Sequence, residues 1–330
     1  MRRKASLVLL AFAVFFAALS PLMRWYAFPR LAKIPPSQYQ TMVLEAQNAT
    51  LLDYATMKSK KVDKVSIVQT LKGNVKEAQK VKDSTGRDVV VWDTLSFVAD
   101  PKGKMVSKIP ERYVFDAHSQ APVHTATEHV DGDKVRREGI EFKWPFLTEK
   151  RDYQYYDFQA RSTAPIHYKG TRTVQGLETY YFEQDIPWTK VKVPKKLPLG
   201  ATPEVVEQAG MERWYSTKRM FWVEPTTGAP VDGQEIHKEE MRWKGKPDKK
   251  PLTAFAGHVK MRPDFQDATV DLVKSQRQLV LALTSYLPWG FLILGAALLA
   301  LSLTLEARSR RPGPGAPIEE PEPDPDPVPA

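Results

Sequence analysis

The sequence predicts an α+β protein: a large antiparallel β-rich extracytoplasmic domain between two terminal transmembrane helices. Three observations predict it. Long apolar runs lie near both chain ends, at residues 7–23 and 279–305. Between them, short runs of Val, Ile, Thr, Tyr, Phe and Trp are punctuated by turn residues. The 330-residue chain holds no Cys, so a core of ordinary domain size, rather than disulfides, must stabilise whatever is exported.

The first run follows Arg2, Arg3 and Lys4. It is longer than the apolar core of a cleaved signal, about 7–15 residues, and its small residues lead directly into Pro21, a poor residue after a cut. An uncleaved anchor is expected. The second run carries no charge and exceeds the roughly 20 residues needed to cross about 30 Å of hydrocarbon. Pro288, Gly290 and Gly295 are tolerated in such a helix, and Tyr286 and Trp289 suit an interface. Arg308, Arg310 and Arg311 follow it, so both termini are expected in the cytoplasm. The segments are then 1–6 cytoplasmic, 7–23 transmembrane, 24–278 extracytoplasmic, 279–305 transmembrane and 306–330 a disordered Pro-rich acidic tail.

Within the middle segment, strands are expected at 62–71, 89–98, 113–115, 153–158, 180–182 and 220–223. Turn signals stand at Asp100-Pro101-Lys102-Gly103, Asp131-Gly132-Asp133, Thr226-Thr227-Gly228 and Asp232-Gly233. Residues 219–241 read as a hairpin, with strands at 219–223 and 234–241. Short helices are expected at 36–47 and 202–210. A longer one at 265–278, with Phe265, Thr269, Leu272 and Val273 inward, should run into the second anchor.

The formal net charge is +9. Basic and acidic residues of the terminal segments cancel, so the middle domain holds the excess. The anchors argue against nucleic acid as the partner of this charge and favour membrane lipids, anionic headgroups or an anionic wall polymer. Lys190, Lys192, Lys195 and Lys196, and then Lys244, Lys246, Lys249 and Lys250, are the candidate contacts. A third cluster stands at Lys58, Lys60, Lys61 and Lys64. Aromatic residues crowd two regions, and Trp144, Phe146, Tyr153, Tyr156, Trp188, Trp214 and Trp222 are candidate walls of an apolar ligand site. Tyr153 and Tyr155 share one strand face, with Tyr156 and Phe158 on the other.

No catalytic chemistry is legible. His124 and His129 are five apart, which on a strand puts them on opposite faces, and no pair has metal-ligand spacing. No phosphate loop or nucleophile elbow occurs, and Glu239-Glu240 reads as a surface pair. No cofactor and no enzymatic activity are expected. Asn48-Ala49-Thr50 matches a glycosylation sequon by accident.

Three blocks carry a family resemblance. The first is Glu138-Gly139-Ile140-Glu141-Phe142-Lys143-Trp144-Pro145-Phe146 with Glu149-Lys150, Tyr153 and Tyr156-Asp157. The second is Val174-Gln175-Gly176-Leu177-Glu178-Thr179-Tyr180-Tyr181-Phe182, and the third Trp222-Val223-Glu224-Pro225-Thr226-Thr227-Gly228. Together they resemble an actinobacterial family of unknown function whose members are often labelled PorA-type porins. The resemblance covers the whole chain, but Asp116-Ala117-His118-Ser119-Gln120 replaces the Asp-Arg-x-Thr-Gly turn common in that family. It implies an envelope membrane protein. The two-anchor layout also resembles class B scavenger receptors, which implies a lipid-binding ectodomain with an apolar tunnel. The expected function is binding or relaying a lipid or other apolar ligand. The alternatives are a channel, or a scaffold of an envelope complex recruited through the acidic tail, either of them as a homo-oligomer.

Overall fold

A computed structural model describes residues 2–309. The predicted acidic tail lies outside them, except that residues 306–309 are helical. In chain order the elements are α1 (Arg2–Pro21), α2 (Phe28–Leu31), β1 (Tyr39–Asp53), β2 (Lys58–Gly73), α3 (Val75–Thr85), β3 (Val89–Ala99), β4 (Met105–Asp116), β5 (His129–Val130), β6 (Asp133–Lys134), β7 (Tyr153–Asp157), β8 (Ser162–Val174), β9 (Leu177–Val191), α4 (Pro203–Gln208), β10 (Met211–Glu224), β11 (Ala229–Trp243), β12 (Leu252–Met261), α5 (Pro263–Leu281) and α6 (Leu287–Ser309). Wider π-helical turns at Leu22–Ala27 and Ala282–Tyr286 follow α1 and α5.

The described residues divide into two units, residues 2–28 with 283–309, and residues 29–282. In the first, α1 and α6 pair antiparallel. Ser6 Oγ donates to Ser302 O (3.1 Å) and Ser302 Oγ to Ser6 O (2.8 Å) at one end, while Arg24 donates to Thr284 O (2.6 Å) at the other. Gly295 lets the helices close: a Cβ there would stand 3.1 Å from Ala13 O. Many apolar side chains of the pair, among them Leu7, Phe12, Phe15, Ile293 and Leu303, are exposed. Both helices are long and apolar enough to cross a membrane.

In the second unit, twelve strands among the described residues form one sheet in the order β6-β5-β4-β3-β2-β1-β12-β11-β10-β9-β8-β7. Every pairing between these strands is antiparallel. The sheet curls until its ends meet. Tyr156 of β7 packs with Ile109 of β4 and Val130 of β5. The segment 137–141 bridges the ends: Ile140 pairs with Tyr155, and Arg137 donates to Arg112 O (2.9 Å) in β4. Arg137 is wholly buried and also binds Glu141 (2.8 Å) and Glu111 (2.9 Å), with Glu128 at 3.6 Å.

The three sequence blocks converge here. Trp144 packs on Phe182 and Phe221, each at 5.2 Å between ring centroids. Its amide donates to Gly228 O (2.9 Å), and Lys143 Nζ donates to Thr227 O (2.6 Å). Glu224 is buried and caps the turn by accepting from the Thr226 and Thr227 amides (3.1 and 2.8 Å). Gly228 has φ +72°, and a Cβ there would fall 2.2 Å from Trp144 O.

Several expectations need correction. Residues 36–47 enter a strand, β1, instead of a helix. The register against β12 shifts between Ala46 and Thr50, around Asn48 (φ 52°), and Ala46 and Ala49 are both buried. Pairing on both sides, to β2 and β12, settles the strand. Asp232-Gly233 lies inside β11 rather than in a turn, beside a register shift. A Cβ on Gly233 would stand 3.3 Å from the Phe221 ring. On α5 the buried residues are Thr269, Val270, Val273 and Val280, whereas Leu272 is exposed. The sequence reading missed α3, although Asn74 accepts from the Glu77 amide (3.1 Å) and Gly86 ends the helix at φ 70°. The helix at 202–210 is present as α4, and the hairpin at 219–241 is β10 with β11.

Two substitutions test this account of the closure. Arg137→Met removes the cation shared by three buried carboxyls together with the link to β4, and is expected to cost about 3–5 kcal/mol. Gly228→Ala should cost at least about 2 kcal/mol from left-handed backbone strain plus the clash. Denaturant unfolding of the full-length protein, followed by tryptophan fluorescence, checks both.

Candidate ligand cavity and its charge ladder

Curling the sheet leaves a cavity of about 180 Å³ inside the β unit. An apolar cavity of ~150 Å³ is enough to admit benzene. Here β1, β2, β3 and β12 supply an aliphatic wall that includes Met42, Leu44, Ile67, Val98 and Val259. The opposite wall, from β10 and β11, is charged: Arg213, Arg219, Glu235, His237 and Glu239 face the same space.

Strand periodicity builds this charged wall. On β10 the residues Arg213, Tyr215, Thr217 and Arg219 recur every second position and are buried. Arg219 pairs in register with Glu235, Thr217 with His237 and Tyr215 with Glu239. The result is a continuous ladder. Arg219 binds Asp157 (2.9 Å) and Glu235 (3.2 Å), and Tyr215 Oη donates to Asp157 (3.1 Å). His237 reaches Glu235 through Nδ1 and Glu239 through Nε2, both at 2.7 Å. Arg213 closes the row on Glu239 (2.6 Å). Three cations therefore meet three carboxylates, a balance that low-dielectric surroundings demand.

The balance requires His237 to be protonated. Burial alone pushes the imidazole down, but its hydrogen bonds to Glu235 and Glu239 outweigh that and hold it at about 9. Burial likewise pushes Glu239 up, against Arg213 and His237, which hold it at about 2. The cluster around Arg137 behaves differently, because one guanidinium faces three carboxyls. Desolvation raises Glu128 to about 7 and Glu141 to about 8, and raises Glu111 as well, with Arg137 opposing each. Glu141 borders the cavity, and its burial favours the protonated form of that carboxyl.

Of the seven aromatic residues singled out from sequence, Tyr156 alone borders the cavity. Trp144 and Tyr153 are buried in a packed cluster with Tyr155, Ile166 and Phe182. Phe146 packs near Trp92 and Tyr113, under Lys143 Nζ (4.0 Å to the ring centroid). Trp188 and Trp214 flank the Arg242 guanidinium at 4.6 Å each, and Trp222 packs against Tyr181 (4.8 Å between centroids). The predicted two faces of β7 do serve two clusters, Tyr153 and Tyr155 in one and Tyr156 with Phe158 in the other.

The lysines separate too. Lys190 pairs with Glu212, while Lys192 and Lys195 both bind Asp133 (3.0 and 2.9 Å). Lys196, Lys244, Lys246 and Lys250 are exposed, and Lys249 stacks on Trp243. Sequence reading missed the ladder itself. Its signal was available as alternate titratable residues on both arms of one expected hairpin. Glu239 and Glu240 were read as one surface pair, yet Glu239 points inward and Glu240 binds Arg242 (2.8 Å).

A pH comparison tests the charge state of His237. Its folded value stands above the ordinary ~6.5, so its ionised form contributes stability that is complete below about 6.5 and is lost as pH rises through about 9. The stability gap between the wild type and His237→Gln should therefore be largest below pH 6.5 and close by pH 9.5. Comparing the two proteins matters because Lys143, pushed by burial down to about 7, gives a trend of opposite sign. Thermal melts across pH 5.5–9.5 would check it, and a constant gap would refute the protonated state.

A sequence model of the family described as Porin PorA matches residues 5–304. A Porin PorA of Corynebacterium resistens is 25% identical over 196 residues, covering 41% of this chain and 47% of the relative. A Porin PorA of Corynebacterium amycolatum is 27% identical over 124 residues, 30% of this chain and 32% of the relative. The chain thus spans about half and about a third of these curated relatives. The family match, by contrast, runs through both apolar helices and every strand, and the protein belongs to the Porin PorA family.

Proposed function

We propose that this membrane protein takes up an apolar or amphiphilic ligand, of lipid type, in the cavity of its β unit, without enzymatic chemistry. The cavity carries the reading: an aliphatic wall faces a charge-balanced polar wall, which suits a molecule with one apolar and one polar part. The basic residues that open α1 (Arg2, Arg3 and Lys4) and Arg308 at the end of α6 favour a cytoplasmic location for both termini and an extracytoplasmic β unit. Surface lysines such as Lys196, Lys244, Lys246 and Lys250 then serve as contacts to anionic lipid or wall polymer.

A second reading follows from the relatives' name. A channel through the curled sheet itself fits poorly, because a lipid-facing barrel needs an apolar outer band, whereas the exposed positions of β2 include Lys58, Lys60 and Lys61. A pore in this protein is better placed among several copies of α1 and α6, whose apolar side chains are exposed. Envelope partners recruited by the acidic tail are compatible with either reading.

Ligand extraction separates the two. Full-length protein purified in neutral detergent is expected to yield a stoichiometric lipid in its organic extract by mass spectrometry. Leu44→Trp, which fills the aliphatic side, should lower that yield at least about tenfold, since the site has little spare volume. An empty wild type with ion conductance in planar bilayers would transfer the function to the helices.

A further inference from the structure

The curled sheet is not closed by strand pairing everywhere. Among the described residues, β6 pairs with β5 alone, and no ladder joins it to the chain after β7 or β9. That gap is held by side chains. Asp133 of β6 binds Arg161 (2.7 Å), Lys192 (3.0 Å) and Lys195 (2.9 Å), which come from the far side. The neighbouring Asp131 accepts from the Lys195 amide (2.7 Å). Two carboxylates thus meet three cations, and the gap keeps a positive excess.

A water-sized recess of about 10 Å³ lies at this contact, lined in part by Asp131, Arg161 and Lys192. It shares Ile109, Phe158, Gln159, Pro194 and Arg213 with the main cavity. One thin wall, in which Arg213 donates to Gln159 (3.0 Å) beside Ile109, Phe158 and Pro194, therefore separates a cationic mouth from the chamber. Lys192 and Lys195 are about half exposed, so an incoming group reaches them without the rest of the fold unpacking.

We infer that this gap is the ligand entrance and that the ligand is a single-chain amphiphile with an anionic headgroup. The inference rests on the cavity reading proposed above. The headgroup, a carboxylate or a phosphate monoester, takes the place of Asp133 on Arg161, Lys192 and Lys195. The chain passes between Phe158 and Pro194 into the aliphatic side. Arg161 is the anchoring contact, because its planar fork grips an oxyanion with two parallel bonds. Asp133 is the competitor that keeps the mouth shut when no ligand is present. No covalent step is involved.

Photo-crosslinking tests this on the full-length protein in nanodiscs of zwitterionic lipid. The probes are a diazirine carboxylate whose short alkyl chain is sized to the cavity, the matching alkyl phosphate and the matching alcohol, with labelled peptides mapped by mass spectrometry. Both anionic probes are expected to label cavity-wall peptides at concentrations about tenfold lower than the alcohol, the equivalent of one charge-assisted hydrogen bond. The combined variant Arg161→Gln, Lys192→Gln, Lys195→Gln should bring the three probes level, with alcohol labelling unchanged. Lys192→Gln alone, at an exposed position, should reduce the preference about threefold, and Asp133→Asn should preserve or increase it. Equal labelling by acid and alcohol in the wild type overturns the headgroup assignment and leaves the cavity reading standing. A preference that survives the combined variant overturns the entrance. Absence of cavity labelling by all three probes removes both this inference and the reading it rests on.

Discussion

One buried guanidinium holds the β unit in its curled form. An antiparallel sheet of twelve strands has two edges, and exposed edges are templates for unwanted pairing. This protein brings its edges together without completing a hydrogen-bonded barrel. Arg137 supplies the join, with a main-chain acceptor in β4 on one side and Glu141 on the segment that pairs with β7 on the other. A guanidinium suits the task because its fixed donors fan in several directions at once. It also stacks near the Tyr113 and Tyr156 rings, at 5.2 and 4.9 Å from their centroids. A hydrophobic residue of similar volume would fill the space but would not link strands from the two ends.

The interior follows from that closure. Because the sheet curls, the inner faces of β10 and β11 are removed from water, and every charge on them must be paired. The ladder from Asp157 to Arg213 meets this demand with alternating signs, and His237 completes it by taking a proton between two glutamates. Such a wall is polar yet neutral. It offers hydrogen-bonding groups to a guest without a net field, while the aliphatic strands opposite offer contact area. The gap at Asp133 differs, since its charges are partly solvated and unbalanced. Buried neutrality and a positive rim fit a chamber with a selective mouth better than a water-filled pore, whose lining would need to stay hydrated along its length.

How much of this was legible in sequence depended on whether the determinant was local. The apolar helices and the strands starting near Val89 and Tyr153 follow from runs of residue type, and the structure contains them. The β1 strand was misread because Tyr39, Val43 and Gln47, four residues apart, also fit one face of a helix, and only the distant partners β2 and β12 settle the strand. Trp144 illustrates the limit for site residues. A tryptophan in a rich aromatic block suits a core or a cavity equally well, and distant partners, Phe182 and Phe221, decide for the core. The charge ladder was readable in principle, since its period of two is explicit on both arms of the hairpin. It went unread because charged residues on strands ordinarily face solvent, and only the curl of the whole sheet turns this face inward.

The family motifs take on a physical meaning that differs from a ligand signature. Glu224 caps the turn that presents Gly228, Gly228 admits the backbone of Trp144, and Trp144 fills the aromatic cluster beside segment 137–141. Each block depends on the others, so the motif residues are bound to the closure of the sheet before any ligand is considered. Residues that select a guest then need not lie in these blocks. They are better sought where the fold leaves freedom, at the aliphatic wall and at the ionic gap, and relatives of different specificity should differ there while keeping the Glu224–Gly228–Trp144 contact intact.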